Sequence, residues 1–457
     1  MDCDAIIVGG GPAGRACAGM LGRNDFSVSL IEKNVPGGTA VESGYFISKV
    51  ILEALGEDSL HNFFQLNDLI EERSNQASEA WKQDLKEAGV DIIAGAAKIT
   101  APDEVKVREE GGVDRKLRGG NIVLASGSRP VSPLDLSLDE GERIITYENI
   151  MTGEWLDLDS IVIVGGDVEG CEFATLYENM GTKVFIVEQK SEILPNCDSE
   201  ISRHVRKRYT ARGIDVLTGS TVANFSENDE GVKVEVVFAE DRGNTREASQ
   251  YMERGKNEDR LIQADALLVT GGKEPSLPEV SSRINLSTGK EGFIEVDENM
   301  RTSEPAILAA GDVIGGMASA NAAIMEGKAS AHSIMGEDVE LDYLNTPYVF
   351  FSSPQVSGVG LREDDIDDDS EKYTVKRFDF SKNYRALSRG SFDGFCKLIV
   401  NRKNNTLLGA HFTGHDIEDL HGLATLAIRN NIPISEFKHL PLAHPTQGEV
   451  ILQALKS

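Results

Sequence analysis

The chain has 457 residues, of which 40% are apolar, and it carries a formal charge of −29. A chain of this length exceeds a single hydrophobic core and predicts two or three domains, and no apolar run in it is long enough to span a membrane. A surface this negative repels nucleic acid and anionic lipid, and we therefore expect neither as a partner. The simplest interpretation of the acidity is that the protein comes from a high-salt or marine proteome.

The N-terminus and the cysteines indicate the compartment. "MDCDAIIVGGG" enters a strand at once and lacks a basic region, so we expect no signal peptide. The five cysteines are an odd and sparse set, which argues against a disulfide scaffold and for a reducing compartment. We therefore expect a cytoplasmic protein, and we assign it no metal site.

The first predicted elements are a strand, a glycine-rich turn and a helix. "DAIIV" ends at Val8, "GGGPAGRACAGML" follows as turn and helix, and "FSVSLIE" is a second strand that ends at Glu32. Gly9, Gly11 and Gly14 form G-x-G-x-x-G between strand and helix, with the acid about 20 residues further on. This arrangement predicts a dinucleotide site in which Glu32 accepts a hydrogen bond from the adenosine ribose.

A helical stretch and further strands follow. Residues 37–49 read "GGTAVESGYFISK", and the sequence between Lys49 and Gly89 is helix-like. "GVDIIAGAAKIT" returns to strand, and "NIVLASGSRP" is a strand that enters a Gly-Ser turn.

A second strand, turn and helix begins at residue 161. "IVIVGGDVEGCEFATLYENMG" keeps Gly165 and Gly170, and "TKVFIVEQ" ends its strand at Glu188, so two dinucleotides are predicted. Asp167 replaces the middle glycine, where backbone should touch the pyrophosphate. Two like charges 4 Å apart cost about 1 kcal/mol in water and about 4 kcal/mol at an effective dielectric of 20, which puts NAD binding in doubt. If a nicotinamide binds, Glu188 favours NAD over NADP, because a carboxylate repels a 2′-phosphate.

The remaining sequence changes character near residue 340. Residues 221–264 predict a β-meander with a charged insert at 240–260, and "ALLVTGGKEP" and "PAILAAGDVIGG" are apolar strands that end in glycine turns. Beyond 340, "YVFFSSPQVSGVGL", "FCKLIV" and "NTLLGAHFTG" predict antiparallel strands. "DIEDLHGLATLAIRNN" predicts a helix stopped by Pro433, and the acidic residues 363–372 predict a solvated loop.

These motifs resemble those of the pyridine nucleotide–disulfide oxidoreductases, and are most similar to the dihydrolipoamide dehydrogenase branch. "GGGPAG", "GGT…SK", "ASGSRP", "GGDVEGCE", "GGKEP", "AAGDV" and "AHPTQGE" occur in the family's order over nearly the whole chain. The resemblance implies an α/β fold with two Rossmann-like dinucleotide-binding domains, for FAD and NAD, and a C-terminal α+β interface domain that forms a homodimer. The implied boundaries are 1–145 for the first part of the FAD domain, 146–264 for the NAD-binding-like domain, 265–338 for the return to the FAD domain and 339–457 for the interface domain.

The resemblance also implies site residues. Those implied to contact a cofactor, besides the residues of the two turns, are Gly38, Thr39, Ser126, Gly127, Gly272, Gly311 and Asp312. Lys49 and Glu172 match an ion pair beside the flavin N5 edge, where an ammonium stabilises anionic reduced flavin.

A histidine and a glutamate near the C-terminus match the family's H-P-x-x-x-E base. The resemblance implies that His444 comes from the other subunit and reaches the partner's dithiol, while Glu449 orients the imidazole and supports its positive form.

The chain departs from the family at its two redox-active cysteines. The pattern G-G-T-C-x-x-x-x-C-x-x-S-K has Ala40 and Tyr45 at the two sulfur positions, and disulfide exchange needs a thiolate. We expect Tyr45 to take one of three roles: to stack on the flavin, to fill the vacated volume or to present a phenol to a new substrate. None of the other cysteines pairs at a useful spacing; they are Cys3, Cys17, Cys171, Cys197 and Cys396.

Three functions remain open. In the first, a disulfide-independent flavoenzyme passes electrons from NADH through FAD to a quinone, a second nicotinamide or a protein carrier, with His444 as proton donor. In the second, an FAD-binding scaffold has lost turnover but docks partners such as a lipoyl-type domain or another redox protein. In the third, an electron-transfer flavoprotein receives electrons from a protein donor without a nicotinamide. We favour the first.

Overall fold

The computed structural model describes residues 2–42, 44–56, 63–109, 112–131, 142–151, 157–238, 260–289, 291–366 and 372–456. The first eleven strands are β1 (Cys3–Val8), β2 (Val28–Glu32), β3 (Asp91–Ala94), β4 (Ala96–Ala101), β5 (Glu104–Arg108), β6 (Asp114–Leu124), β7 (Ser128–Pro130), β8 (Ile144–Ile145), β9 (Ser160–Val164), β10 (Lys183–Glu188) and β11 (Asp215–Thr218). The later strands are β12 (Ser220–Asn228), β13 (Gly231–Phe238), β14 (Arg260–Ala264), β15 (Ala266–Val269), β16 (Lys273–Pro275), β17 (Glu279–Val280), β18 (Ile307–Ala309), β19 (Tyr348–Phe350), β20 (Gln355–Gly360), β21 (Tyr373–Asp379), β22 (Phe395–Asn401) and β23 (Thr406–Gly414).

The α-helices are α1 (Pro12–Arg23), α2 (Thr39–Glu42), α3 (Tyr45–Gly56), α4 (Phe63–Glu87), α5 (Tyr147–Met151), α6 (Val168–Asn179), α7 (Ser199–Ala211), α8 (Ala320–Met335), α9 (Tyr384–Arg389), α10 (Leu420–Arg429), α11 (Ile434–Phe437) and α12 (Glu449–Lys456). The chain divides into two compact units. The first comprises residues 1–132, 147–155 and 272–343, and the second comprises 133–146, 156–271 and 344–457.

The first unit is built on one large sheet. Strands β3, β2, β1, β6 and β18 pair in parallel, and β4 and β5 continue from β6 as antiparallel strands. Helices α1 and α8 pack so closely that a Cβ at Gly327 would lie 2.1 Å from the carbonyl oxygen of Ala13. The apolar strands β1 and β2 are buried at every position except Asp4, as is typical of parallel strands.

The second unit contains three sheets. A parallel sheet has the order β11-β10-β9-β15-β8, and β12, β13 and β14 form an antiparallel meander. The C-terminal sheet has the order β19-β20-β23-β22-β21 and is antiparallel throughout. Helices α10 and α12 contribute to its hydrophobic core. The predicted α/β fold, with two Rossmann-like sheets and a C-terminal α+β region, is confirmed.

Four of the predictions need correction or comment. Of the predicted acidic loop at 363–372, residues 367–371 lie outside the described part of the chain. Glu363, Asp364 and Asp365 are exposed, as predicted, but they form a short 3₁₀ helix. Asp364 accepts a hydrogen bond from the backbone N–H of Ser199 at 2.8 Å, and Glu363 pairs with Lys397. The predicted helix at 416–431 begins only at Leu420. The charged insert at 240–260 lies outside the described residues except for Arg260, and the predicted domain boundaries remain predictions.

Candidate functional site

The first glycine-rich turn leaves a space at the start of α1. A Cβ at Gly14 would lie 1.9 Å from the carbonyl oxygen of Gly9, and Gly9 itself has a φ of +105°, so both glycines are required by the protein's own packing. Gly11, the N-cap of α1, has an ordinary φ of −73°, and a Cβ there would meet nothing within 4 Å. Since Gly11 makes no side-chain cap, the N-terminus of α1 stays open to an anionic ligand.

Glu32 is fixed beside this turn. Its carboxylate is almost fully buried and accepts hydrogen bonds from the backbone N–H of Gly10 at 2.6 Å and of Asn34 at 2.9 Å. A carboxylate can accept more than two hydrogen bonds, so one held in this way retains capacity for a ribose hydroxyl.

Three further predicted residues of the first unit are Ser126, Gly127 and Asp312, of which Asp312 begins the short 3₁₀ helix Asp312–Ile314. The hydroxyl oxygen of Ser126 is buried and has no hydrogen-bond partner among the described residues, and Gly127 has a φ of +72°. Asp312 accepts a hydrogen bond from the Ser128 hydroxyl at 2.9 Å, and Lys273 Nζ lies 3.7 Å from the same carboxylate. A buried hydroxyl without a partner is costly unless a ligand supplies one.

Glu326 supports the turn at Gly311 and was missed by the sequence analysis. Its carboxylate accepts hydrogen bonds from the Gly311 N–H at 2.8 Å and the Tyr343 hydroxyl at 3.0 Å. Burial raises the pKa of the Glu326 carboxyl above its ordinary value, although these two hydrogen bonds oppose the rise. A glutamate within the apolar helix α8 was the available signal.

Gly37 and Gly38 lie against the first turn. The Gly37 N–H donates to the carbonyl of Gly10 at 3.1 Å, and a Cβ at Gly38, whose φ is +56°, would lie 3.2 Å from the Cα of Gly11. Thr39 begins α2, so the predicted diphosphate and flavin residues of this segment adjoin the open turn.

The two positions of the family's cysteines fall on two successive helices. Ala40 in α2 is buried, whereas Tyr45 begins α3 and is 45% exposed in the single chain. Partial burial raises the pKa of the Tyr45 phenol, and the positive charge of Arg15 opposes the rise. The phenol is therefore a neutral hydrogen-bond donor near pH 7, and its three predicted roles remain predictions.

All five cysteines lie in the described part of the chain, and none of them forms a disulfide. Each is buried and free, and burial raises the pKa of each thiol. A buried thiol with a raised pKa is a poor nucleophile. These residues therefore offer no replacement for the two missing sulfurs.

The second glycine-rich turn reproduces the first, except at Asp167. Gly165 has a φ of +114°, and a Cβ at Gly170 would lie 1.9 Å from the carbonyl oxygen of Gly165. Glu188 accepts hydrogen bonds from the N–H of Gly166 at 2.6 Å and of Lys190 at 2.7 Å. Asp167 is the N-cap of α6, and its side chain accepts a hydrogen bond from the Gly170 N–H at 3.2 Å.

The predicted pair of Lys49 and Glu172 is divided between the two units. Lys49 Nζ donates to the Ser48 hydroxyl at 3.3 Å in the first unit, and Glu172 accepts from the Phe351 N–H at 2.8 Å in the second. The pairing of these two residues beside the flavin remains a prediction.

The C-terminal histidine and glutamate are in contact. Nδ1 of His444 lies 3.1 and 3.2 Å from the two carboxylate oxygens of Glu449, which also accepts from the Thr446 N–H at 2.9 Å. Burial opposes ionisation of Glu449, but these hydrogen bonds outweigh it and hold the pKa of the carboxyl below its ordinary value. An ionised Glu449 orients the imidazole so that Nε2 is left to exchange a proton with a substrate.

Two residues that support His444 were not found from the sequence. Asn383 is fully buried, and its amide donates to the Thr446 carbonyl at 3.2 Å and to the Gln453 side chain at 3.3 Å. The Tyr384 ring meets the His444 ring edge-on, with centroids 5.7 Å apart. They precede His444 by some 60 residues, and no spacing in the sequence relates them to it.

Family matches cover both parts of the chain. Residues 3–327 match the family "Pyridine nucleotide-disulphide oxidoreductase", and residues 346–455 match its dimerisation domain. The chain belongs to the pyridine nucleotide-disulphide oxidoreductase family. The match to the dimerisation domain supports the predicted homodimer.

Proteins of known name or structure resemble the chain over nearly its whole length. Dihydrolipoyl dehydrogenases of Geobacillus stearothermophilus and Bacillus subtilis are 30% and 28% identical, each comparison covering 99% of this chain and 96% of the relative. The flavoprotein disulfide reductase RclA of Escherichia coli and LpdA of Mycobacterium tuberculosis share the fold, with TM-scores of 0.86 and 0.87 at 23% and 22% identity, and each comparison covers 99% of both chains.

The residues of the two glycine-rich turns fit FAD better than they fit a nicotinamide nucleotide. The open N-terminus of α1, the fixed Glu32, the unpartnered Ser126 hydroxyl and Asp312 suit FAD. The second turn presents the Asp167 carboxylate where a nicotinamide nucleotide's diphosphate would lie, so it does not fit in this conformation.

In the part of the chain that the structure describes, no helix combines the length and the apolar character that a membrane span requires. The same residues include no group of three or more His, Cys, Asp or Glu side chains arranged to hold a metal ion.

Proposed function

We propose that this protein is an FAD-dependent oxidoreductase, related to dihydrolipoamide dehydrogenase, whose electrons enter and leave through the flavin without a protein disulfide. One observation carries the proposal: the FAD turn keeps its open geometry while Ala40 and Tyr45 occupy the family's sulfur positions. The acceptor is a quinone, a second nicotinamide or a protein carrier. The buried state of the five cysteines supports the exclusion of a thiol relay.

In this proposal the residues of the chain bind the cofactor, orient the reacting groups and transfer protons. When bound, FAD supplies hydride and electron transfer. Glu32 and the N-terminus of α1 would hold its adenosine and diphosphate, and Asp312 would hold hydroxyls of the linking chain. In its positive form, His444 carries a proton on each ring nitrogen; it gives the Nε2 proton to the reduced acceptor and is left neutral, with its Nδ1–H held by Glu449.

The test uses the purified, flavin-loaded protein. We expect quinone-type acceptors to reoxidise the flavin after dithionite reduction, and we expect alkylation by N-ethylmaleimide to leave the rate unchanged. Turnover of dihydrolipoamide, or release of two titratable thiols on reduction by substrate, would contradict the proposal.

A second candidate, an electron-transfer flavoprotein with a protein donor and no nicotinamide, is favoured by the cap that Asp167 forms on α6. Anaerobic mixing with excess NADH separates this candidate from an enzyme that takes its electrons from NADH, the donor of the first hypothesis. Rapid loss of flavin absorbance supports NADH as donor, whereas loss with dithionite alone supports a protein donor. Failure of reduced flavin to react with any acceptor would favour the scaffold that docks a lipoyl-type domain or another redox protein.

A further inference from the structure

The two glycine-rich turns differ at one position while their backbones agree. Gly11 has φ and ψ of −73° and −171°, and Asp167 has −77° and −166°. These angles are accessible to any residue, so Asp167 brings no backbone strain. The difference lies in the space beyond the backbone, which is open at Gly11 and holds a carboxylate at Asp167.

The Asp167 carboxylate lies between the first turn of α6 and Gly271. One oxygen accepts the hydrogen bond from the Gly170 N–H, at the first turn of α6. The other oxygen faces Gly271, where a Cβ would lie 2.7 Å from it. Glu169 adds a second acidic residue to the same helical turn.

We infer that Asp167 acts as an internal anion that closes the second nucleotide turn to the diphosphate of NADH and NADPH. A helix N-terminus attracts phosphate through its unpaired N–H groups and its partial positive charge. Asp167 takes one of these donors and neutralises part of that charge, and an incoming diphosphate meets a like charge. The inference deepens the proposed function, on which it rests for the electron path through FAD: it favours a protein donor over NADH. Its failure would restore NADH as a donor and would leave the disulfide-free electron path unaffected.

Direct binding to the flavin-loaded protein tests the inference. NADH and NADPH are titrated by calorimetry into the wild-type protein, Asp167→Gly and Asp167→Ser; the serine variant keeps a capping oxygen without the charge. We expect the wild-type protein not to saturate in the micromolar range, and Asp167→Gly to bind NADH about five-fold to several-hundred-fold more tightly, from the repulsion of like charges at 4 Å. Asp167→Ser should lie between the two.

A matched charge variant controls for general electrostatics. Glu169→Gln removes one charge from the same helical turn but leaves the Asp167 cap, so it should tighten NADH binding less than Asp167→Gly does. Micromolar NADH binding by the wild-type protein would overturn the inference. It would also be overturned if Asp167→Gly and Asp167→Ser both bound NADH no more tightly than the wild type.

The reciprocal change tests the same physics in the first unit. Gly11→Asp places a carboxylate on a turn whose backbone and open space accept it, so we expect the protein to fold and to lose most of its FAD. Gly422→Asp is the control, because a Cβ there also meets nothing within 4 Å and because Gly422 belongs to helix α10 of the second unit. Full FAD occupancy in Gly11→Asp would contradict the inference, while circular dichroism verifies folding in both variants.

Discussion

Glu449 holds Nδ1 of His444 with both carboxylate oxygens, at 3.1 and 3.2 Å. This contact assigns the ring proton to Nδ1 and leaves Nε2 for proton exchange. The arrangement remains intact although both of the family's sulfur positions are occupied by other residues.

Removal of the histidine tests whether this pair still works. His444→Gln should lower turnover with a proton-requiring acceptor by about 10²- to 10⁴-fold, the usual contribution of general acid catalysis. A one-electron acceptor such as ferricyanide takes up no proton, so its reduction should be unaffected and serves as the control. Equal losses with both acceptors would contradict a proton-donor role.

The charge of Glu449 should appear in the dependence of stability on pH. The folded-state pKa of this carboxyl is lowered, so its contribution to stability is present above its unfolded pKa of about 4.3 and is lost as pH falls through the folded pKa. Glu449→Gln should therefore lose less stability than the wild type on going from pH 6 to about pH 3. Urea unfolding at a series of pH values measures this difference, and parallel curves for the two proteins would refute it.

Asn383 is expected to position the loop that carries His444. Asn383→Ala removes the donors to Thr446 and Gln453 and also the cap on α9, and should cost about 1–3 kcal/mol of unfolding free energy. Asn383→Asp keeps the capping oxygen but not the donors. If the amide N–H donors of Asn383 position the loop, turnover falls in both variants while KM for a small acceptor changes little. A normal turnover rate in Asn383→Asp would show that Asn383 acts only as the cap of α9.

Lys397 should be among the most sensitive positions for stability. It is 1% exposed, and its Nζ lies 2.9 Å from a carboxylate oxygen of the fully buried Asp198. Burial tends to raise the pKa of the Asp198 carboxyl, but the hydrogen bond and the positive charge of Lys397 outweigh burial and hold this pKa below its ordinary value. Lys397→Met leaves an uncompensated buried charge and should cost about 3–5 kcal/mol. The double variant Lys397→Met, Asp198→Asn should recover part of this loss in urea unfolding; an equal or greater loss would contradict the pairing.

Restoration of the two sulfurs separates the two departures from the family. Ala40→Cys with Tyr45→Cys should keep FAD and give a dithiol on dithionite reduction, as thiol titration measures. We expect NADH-linked lipoamide turnover only when Asp167→Gly is added, because the donor turn is otherwise closed. Full turnover in the double-cysteine variant alone would show that Asp167 does not block NADH.

The sequence by itself determined the two nucleotide turns, their acids Glu32 and Glu188, and the substitutions at positions 40 and 45, because these depend on local spacing and residue identity. Only the tertiary structure revealed that Glu326 holds Gly311, that Asn383 holds the His444 loop, and that Lys397 pairs with Asp198 across 199 positions. Such contacts are set by which side chains the fold buries together, and no periodicity records them. Asp167 is a further example. The sequence indicated a negative charge at a position where the dinucleotide turn requires glycine, and only the folded turn showed that this carboxylate caps its own helix, α6.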